Sequence, residues 1–394
     1  MGFSYRVFQR QIVNGESSVS VSAKKPADAT NRNVCISGER KERFDLETTL
    51  LIIGCIAIAV TVVTLVRADA WWIRIFDFPR LQITFVAATT FLAFILFVEN
   101  FSTGGLIFLS ALALCLFYQG YMMFPYTPLA RKQVQRSVRA TPESSFSLLF
   151  GNVLESNRNS KRLREIIREA NPDIILTVET NGWWQEQLSE FEKSHPYIVH
   201  QPQENTYGML LYSRLELVNP VVKFLLEDDI PSIHTRVKLR SGREIELRCL
   251  HPRPPFPTED ESSTKRDAEI LIVGKENKEK PSPFVVMGDL NDVAWSRTNY
   301  LFQDISGLLD PRIGRGFYHT FHASFPFLRF PLDHFFHSNH FRLVDFRRLG
   351  FFGSDHFPVY IKLSYENGAE HEQEELRADD AQKAEVREKI DKAM

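Results

Sequence analysis

The sequence predicts an α/β (α+β) fold, a four-layer sandwich of two mixed β-sheets flanked by helices, preceded by three transmembrane helices. Two observations lead to this prediction. Three long apolar stretches lie close together early in the 394-residue chain. Further along, short apolar runs alternate with charged amphipathic segments, and mixed strands with helices between them favour sheets covered by helices.

The three apolar stretches are residues 46–66, 81–98 and 104–124. At 1.5 Å per residue, each is about long enough as a helix to cross a hydrocarbon core of ~30 Å. Tryptophan and tyrosine favour the membrane interface. They lie at or beyond the ends of these stretches as Trp71, Trp72, Tyr118, Tyr121 and Tyr126. The alternative is a buried helical hairpin in a soluble core.

The first stretch could also end a cleaved signal peptide, since Ala68-Asp69-Ala70 resembles a cleavage site. A long polar lead and two further spans favour an uncleaved anchor. The orientation cues conflict, because Arg40 and Lys41 precede the first span while Arg131 and Lys132 follow the third. Positive charge favours the inside. We favour an inside N-terminus in a multi-pass protein of the cell inner or plasma membrane, which puts the following domain on the extracytoplasmic side.

Composition divides the chain into five segments. The first, residues 1–43, is polar without a sustained apolar period, which predicts disorder. The last, residues 366–394, is rich in Glu, Ala, Lys and Arg and has no apolar stripe, which predicts a solvated charged tail. Between them we predict a three-helix transmembrane region at 44–126, a basic linker at 127–145 and a folded domain at 146–365.

Within the folded domain, apolar runs bounded by turn residues predict strands. They cover residues 146–150, 173–178, 209–212, 233–239, 244–250, 284–287, 332–337 and 359–363. Amphipathic or charged segments predict helices at 160–170, from about 183, and at 260–275.

The strongest chemical motif is Gly288-Asp289-Leu290-Asn291, directly after an apolar strand. A carboxylate and a carboxamide two residues apart at a strand end can point into one pocket. The carboxylate can orient or deprotonate a water, and the amide can hydrogen-bond a phosphate oxygen or the nucleophile. Taken alone, the motif is equally an Asp- and Asn-rich turn.

Five further strand ends carry polar side chains that suit the same chemistry. The histidines can act as base or acid near neutral pH, and a carboxylate that ends an apolar strand is costly to bury without a partner such as a hard cation. Each residue alone is equally a capped strand end. The residues are Asn152, Glu179, His251, Asp333, and Asp355 with His356.

Together, in this order, the six positions resemble the endonuclease/exonuclease/phosphatase (deoxyribonuclease I-like) superfamily over about residues 146–363. The resemblance implies a catalytic domain that uses Mg²⁺ or Mn²⁺. It implies that Glu179 is the main metal ligand, aided by Asn152 and Asp355. Asp289 would position or deprotonate water. Asn291 would hold the nucleophile or the phosphate. Asp333 would orient His356. His251 would contact the phosphate or protonate the leaving oxygen.

One branch is more similar still, the membrane-bound group that includes teicoplanin-resistance proteins. This likeness rests on the three apolar spans, on Trp295-Ser296, and on Gly314-Arg315-Gly316 with Thr320. It implies that Arg315 and Thr320 bind substrate. Two positions depart from related patterns. Phe321 replaces the branch's usual tryptophan. Leu154 replaces the aspartate of abasic-site endonucleases, which puts a second metal ligand in doubt.

These features predict a membrane-anchored, divalent-metal-dependent phosphoesterase that hydrolyses phosphodiester, phosphomonoester or pyrophosphate bonds of a lipid-linked or headgroup substrate. Its partners would be the lipid bilayer and the phosphate ester, and no protein partner is inferred. One competing hypothesis is a nuclease, since arginines interleave with aromatic residues over 312–348 and such a mixture can stack bases. A second is an inactive membrane scaffold, and a third is an interaction protein built around the charged tail.

Overall fold

The computed structural model describes residues 29–99, 101–279 and 282–394. Most of the predicted disordered tail therefore lies outside the described residues. Over residues 29–43 the structure corrects that prediction, because helix α1 begins at Ala29 and runs through them. Extending an existing helix needs no new nucleus, so a polar segment can continue the helix of the apolar stretch that follows it.

The helices and strands of the described residues follow the chain in this order. The helices are α1 (Ala29–Val63), α2 (Trp71–Arg74), α3 (Arg80–Phe97), α4 (Thr103–Met123), α5 (Ser160–Ala170), α6 (Gly182–Leu188), α7 (Thr264–Glu279), α8 (Arg297–Ser306), α9 (Ala369–Glu372) and α10 (Asp380–Ala393). The strands are β1 (Ser145–Asn152), β2 (Ile174–Val178), β3 (Tyr197–Gln201), β4 (Met209–Ser213), β5 (Glu216–Phe224), β6 (Pro231–Lys238), β7 (Glu244–Leu250), β8 (Phe284–Asp289), β9 (Asp333–His337), β10 (Phe341–Arg348) and β11 (Val359–Tyr365).

Helices α1, α3 and α4 each include a stretch long and apolar enough to cross a bilayer, as predicted. Their ends are held together by Gln119, near the end of α4. Gln119 accepts a hydrogen bond from Arg80 at the start of α3 (3.0 Å) and donates one to Thr61 near the end of α1 (3.2 Å). The loop 64–79 and the chain that leaves α4 therefore emerge at the same end of the helix bundle.

Two mixed sheets flanked by helices form the rest of the fold, which confirms the predicted fold class. One sheet has the strand order β10-β11-β1-β2-β4-β3 and the other β5-β6-β7-β8-β9. Apolar side chains of both sheets meet in a shared core. Helices α7, α8 and α10 cover the outer face of the second sheet, and α5 and α6 cover that of the first.

The sequence pattern missed strands β3, β5 and β10, and all three are sheet edges. An edge strand faces solvent along one side, so it tolerates charged residues and proline that a central strand excludes. Strand β5 contains Asn219 and Pro220 at an irregularity in its pairing with β6. Strand β10 carries several charged side chains. Their sequences therefore lack the apolar run that marks a buried strand.

The C-terminal segment is not the solvated tail that was predicted. Helix α10 begins with a capping box at Asp379 and buries Val386 and Ile390 against α7 and α8. Lys389 on the same helix donates to Asp69 in the loop after α1 (2.8 Å) and to Asp267 on α7 (2.9 Å). Two apolar side chains four residues apart are neighbours on a helix, and here the contacted helices supply the rest of the apolar cluster.

Replacing Val386 with aspartate should therefore destabilise the protein, because it buries an unpaired carboxylate between α10 and its neighbours. We expect the thermal unfolding midpoint of the full-length protein in detergent to fall by roughly 5–10 °C. Ala384→Asp is the matched control, since this residue is exposed on the same helix. Equal midpoints for the two variants would show that α10 contributes no packing energy.

The domain packs directly against the end of the helix bundle. The Trp295 indole N–H donates to the carbonyl oxygen of Asp77 (2.7 Å), and the Tyr126 hydroxyl donates to the carbonyl of the residue before Trp295 (2.6 Å). The Phe78 ring lies 5.6 Å from that of Phe330, edge to face. We use the name membrane-side joint for Asp77, Phe78, Tyr126, Trp295 and Phe330. The joint fixes the chain after the Asp289 motif to the loop between the first two spans.

Candidate active site

The register of the strands brings the predicted polar residues to one end of the sandwich. Asn152 ends β1 and pairs in parallel with Val178, the residue before Glu179. In the second sheet, Asp289 at the end of β8 pairs with Asp333 at the start of β9. These strand ends converge, so side chains far apart in sequence come within hydrogen-bonding distance of one another.

A glycine makes this convergence possible in the second sheet. Gly288 has φ +153°, and a Cβ atom there would lie 1.9 Å from the carbonyl oxygen of Leu250 on β7. Only glycine allows two backbones to approach so closely. Glu179 and Asn291 both have positive φ, 58° and 50°, which non-glycine residues rarely adopt and which is often found at functional sites.

Asn152 links the two carboxylates on either side of it. Its Nδ2 atom donates to Glu179 Oε1 at 2.7 Å and to Asp289 Oδ2 at 3.2 Å. Its Oδ1 atom accepts from the backbone N–H of Leu154 at 3.0 Å. Leu154 thus serves here through its backbone, although its side chain is no metal ligand. The hydroxyl of Ser354 donates to the carbonyl oxygen of Asn152 at 2.8 Å and holds the strand end in place.

His356 lies between two aspartates. Its Nδ1 atom is 3.0 and 3.1 Å from the two carboxylate oxygens of Asp333, and its Nε2 atom is 3.5 Å from Asp289 Oδ2. Burial alone would lower the pKa of the imidazole, but the Asp333 and Asp289 carboxylates raise the pKa to about 10. The ring is therefore an imidazolium at neutral pH. Burial raises the pKa of Asp289, and the charge of His356 opposes this.

Glu179 and Asp355 fit a hard divalent cation. Burial raises the pKa of Glu179 to about 7, and the hydrogen bond from Asn152 only partly offsets this. The negative charge of Asp355 raises the same pKa further. A cation beside these two carboxylates would remove their repulsion and the cost of burial, and oxygen donors of this kind are those that Mg²⁺ and Mn²⁺ prefer.

A second set of groups also has the spacing of metal ligands. One ligand atom each from Asp289, Asp333 and His356 lies within 4.8 Å of the others. These groups already contact one another, because His356 forms a hydrogen bond with Asp333 through Nδ1 and an ion pair with Asp289 through Nε2. Two sets of residues in the cluster therefore have ligand atoms of the kind that bind a cation.

His251 and Asn291 complete the cluster on another side. His251 is buried, and its Nδ1 atom has no hydrogen-bond partner in the described part of the chain. Burial lowers the pKa of this imidazole to about 4, so it is neutral. Asn291 donates from its backbone N–H to Asp289 Oδ1 (2.9 Å) and from Nδ2 to the carbonyl of Pro252 (3.0 Å). Asn291 thus both orients the aspartate and anchors the chain next to His251.

Comparison with known proteins identifies the family to which this arrangement belongs. Residues 146–356 match the Endonuclease/Exonuclease/phosphatase family. The chain belongs to this family. No curated protein matches the sequence, and nothing in the comparisons bears on the teicoplanin-resistance branch, which stays a prediction.

Several solved structures are similar to this chain at low sequence identity. A family protein from Bacteroides thetaiotaomicron is 15% identical, with 58% of this chain and 100% of that chain covered and a TM-score of 0.47. The catalytic domain of human Nocturnin, solved with a bound sulfate anion, is 17% identical, with 59% and 97% covered and a TM-score of 0.45. Humanized D. rerio TDP2 is 14% identical, with 56% and 99% covered and a TM-score of 0.46.

The two residues predicted to bind substrate, Arg315 and Thr320, contact backbone groups in the structure. The Arg315 guanidinium donates to the carbonyls of Pro311 (3.1 Å) and of Val134 in the predicted linker. It therefore fixes the linker to the domain. The Thr320 hydroxyl accepts from the backbone N–H of Asp333 at 3.3 Å and steadies the start of β9. Their roles in substrate binding stay predictions.

The structure also shows supporting residues that sequence reasoning missed. Buried Arg266 on α7 donates to the carbonyl of Asn291 at 2.7 Å and pairs with Asp267 (2.8 Å) and Asp292 (3.4 Å). The ring of Tyr207 lies 5.3 Å from that of His251. Asp292 is visible next to the family motif, but no local pattern points to an arginine or tyrosine from a distant segment.

Proposed function

We propose that this protein is a membrane-anchored phosphoester hydrolase that requires Mg²⁺ or Mn²⁺. One observation carries the proposal: Asn152, Glu179, Asp289, Asp333 and His356 form one continuous set of hydrogen bonds and ion pairs at the end of the sandwich. An inactive scaffold has no need of an imidazolium between two buried carboxylates. The three apolar helices that pack against the domain support the membrane anchor.

The side chains divide the reaction between them. Asp289, held by Asn152 and the Asn291 backbone, is placed to orient a water molecule and accept its proton. The His356 imidazolium, held by Asp333, is placed to stabilise negative charge that develops on the phosphoryl oxygens. The neutral ring of His251 has a nitrogen free to hydrogen-bond a phosphate oxygen.

Glu179, with Asp355 and Asn152 beside it, would hold the cation. A cation held there would supply positive charge that offsets the negative charge of the phosphoryl group. For the Asn152 amide oxygen to take part, the side chain would have to release the Leu154 N–H that the oxygen accepts from here. We therefore assign Glu179 the main role.

Ion pairs within the arginine-rich segment 312–348 favour a small phosphate ester over long nucleic acid. A nuclease needs free positive charge along a groove. Arg312 is buried in an ion pair with Asp310, and Arg347 pairs with Asp345. Arg342 pairs with two glutamates. Three of the six arginines that raised the nuclease hypothesis are therefore paired with carboxylates within the domain.

Metal binding tests the assignment of Glu179 directly. We expect Glu179→Gln to weaken Mn²⁺ binding, measured by calorimetry on the full-length protein in detergent, by about tenfold or more, because it removes the main charged ligand. Glu186→Gln, on the exposed face of α6, is the matched control. Unchanged affinity in Glu179→Gln would move the cation to the Asp289, Asp333 and His356 set.

Activity tests the wider proposal. The full-length protein should hydrolyse a generic phosphodiester such as bis(p-nitrophenyl) phosphate with Mg²⁺ or Mn²⁺, and a chelator should abolish this. Turnover that persists in excess chelator, or no turnover of any phosphate ester with either cation, would contradict the proposed function.

A further inference from the structure

An exposed apolar loop lies beside the catalytic cluster. In the segment 322–329, the side chains of Phe325, Phe327 and Leu328 are 57%, 86% and 52% exposed. Adjacent large apolar side chains that face outward mark a surface that contacts lipid, ligand or protein. The polar alternative, a solvated turn, would not use two phenylalanines and a leucine within four residues.

This loop is held against the first turn of a candidate span. The Gln82 side chain donates from Nε2 to the carbonyl oxygen of Phe327 at 2.5 Å. Gln82 lies within the apolar stretch Arg80–Phe97, and Phe85, three residues further along, is 72% exposed on that helix. The loop therefore lies at the depth where the chain enters the bilayer. Its apolar side chains continue the lipid-facing surface of the span.

The same segment also contacts the catalytic cluster. The Phe321 ring lies 5.0 Å from the imidazole of His356. The backbone N–H of Ala323 donates to the carbonyl of Asp355 at 2.6 Å. The membrane-side joint, through Phe330, packs next to Phe321. A short, continuous set of contacts thus connects the bilayer level to the catalytic residues.

Two arginines next to this loop lack carboxylate partners in the part of the chain that the structure describes. The guanidiniums of Arg329 and Arg348 lie 5.1 and 4.3 Å from the ring centroid of Phe357, the residue after His356. Each donates a hydrogen bond to a backbone carbonyl, and Arg329 Nε has no hydrogen-bond partner among the described residues. Guanidinium groups of this kind bind phosphate oxygens well, so an anionic group would fit beside the loop.

We propose that the substrate is an amphiphilic phosphate ester presented at the bilayer surface. Its apolar chain lies along Phe325, Phe327 and Leu328, and its phosphate reaches the catalytic cluster past Arg329 and Arg348. Water adds to phosphorus, the ester oxygen leaves with a proton, and the apolar product stays in the membrane. This inference rests on the proposed function and adds the class of substrate to it.

A pair of substrates that differ only in their apolar chain tests the proposal. The full-length protein in vesicles is given p-nitrophenyl phosphodiesters with an ethyl or a dodecyl chain, and kcat/KM is measured for each. We expect Phe325→Ser/Phe327→Ser to lose about tenfold or more of kcat/KM on the dodecyl ester, since it removes apolar contact area, and to keep the ethyl value within about twofold. Val221→Ser, at an exposed apolar residue on edge strand β5, is the matched control.

A second readout does not depend on activity. In vesicles with brominated lipid, the fluorescence of Phe327→Trp should be quenched more than that of Val221→Trp, relative to the unchanged protein. Equal quenching, or a double serine variant that keeps the wild-type value on the dodecyl ester, would overturn the inference and leave the proposed function intact. Preference for an oligonucleotide over both esters would also overturn it. Failure to hydrolyse either ester or the oligonucleotide would refute the proposed function itself.

Discussion

Replacing Asp289 with asparagine is expected to lower kcat for phosphodiester hydrolysis by on the order of 10²–10⁴-fold, because the side chain keeps its shape but loses the charge that accepts a proton from water. The carboxylate is buried and already held by Asn152 and by the backbone of Asn291. An amide fills the same space, although its NH₂ group cannot accept the hydrogen bond from one of these two donors. The measurement is kcat with saturating Mg²⁺ or Mn²⁺.

The control for this variant is Asp228→Asn, an exposed acidic residue in the same domain. Thermal unfolding midpoints of both variants should stay close to that of the unchanged protein. A folded Asp289→Asn protein with near-normal kcat would remove the aspartate from the reaction. The proton acceptor would then have to be another group of the cluster.

Asp333→Asn and His356→Gln should each lower kcat by roughly 10²–10⁴-fold, and the double variant should be no slower than the slower single one. The reason is the geometry: both carboxylate oxygens of Asp333 contact the same ring nitrogen of His356. Once the ring is gone, the aspartate has nothing to orient.

Four kcat values, for the unchanged protein, the two single variants and the double variant, measure this coupling. His371→Gln, an exposed histidine far along the chain, serves as the control for loss of an imidazole. If the two losses multiply in the double variant, Asp333 and His356 act independently, and the orienting role of Asp333 is wrong.

Local sequence was enough to place most of the central strands and several residues of the candidate site. Strands such as β8 are buried along their whole length, so they appear as apolar runs. The polar residues at their ends are costly to bury without a purpose, which makes them visible. Asp289 and His356 were found in this way, and the structure brings them to 3.5 Å of each other.

Other features depend on contacts that no local pattern records. The edge strands carry charge and proline because only one side is paired. Helix α10 buries only Val386 and Ile390, too few to form a stripe, and its partners come from a segment about a hundred residues earlier. Arg315 resembles a phosphate ligand in sequence, yet its guanidinium donates a hydrogen bond to the carbonyl of Val134 in the linker. The amide nitrogen of Asn152 donates to Glu179. The amide has this orientation because its oxygen accepts from the backbone N–H of Leu154.

The membrane-side joint has a consequence for any shortened form of the chain. A fragment that starts near residue 144 would lack Asp77, Phe78 and Tyr126, so the Trp295 indole and the Phe330 ring would face water. Leu332, the residue before Asp333, belongs to the same apolar cluster, so exposing it would loosen the strand that orients His356. The apolar helices thus support the chain around the candidate site, in addition to the membrane-anchoring role that we propose for them. Poor turnover by a detached domain could therefore come from the loss of these contacts, so the activity should be measured on the full-length protein.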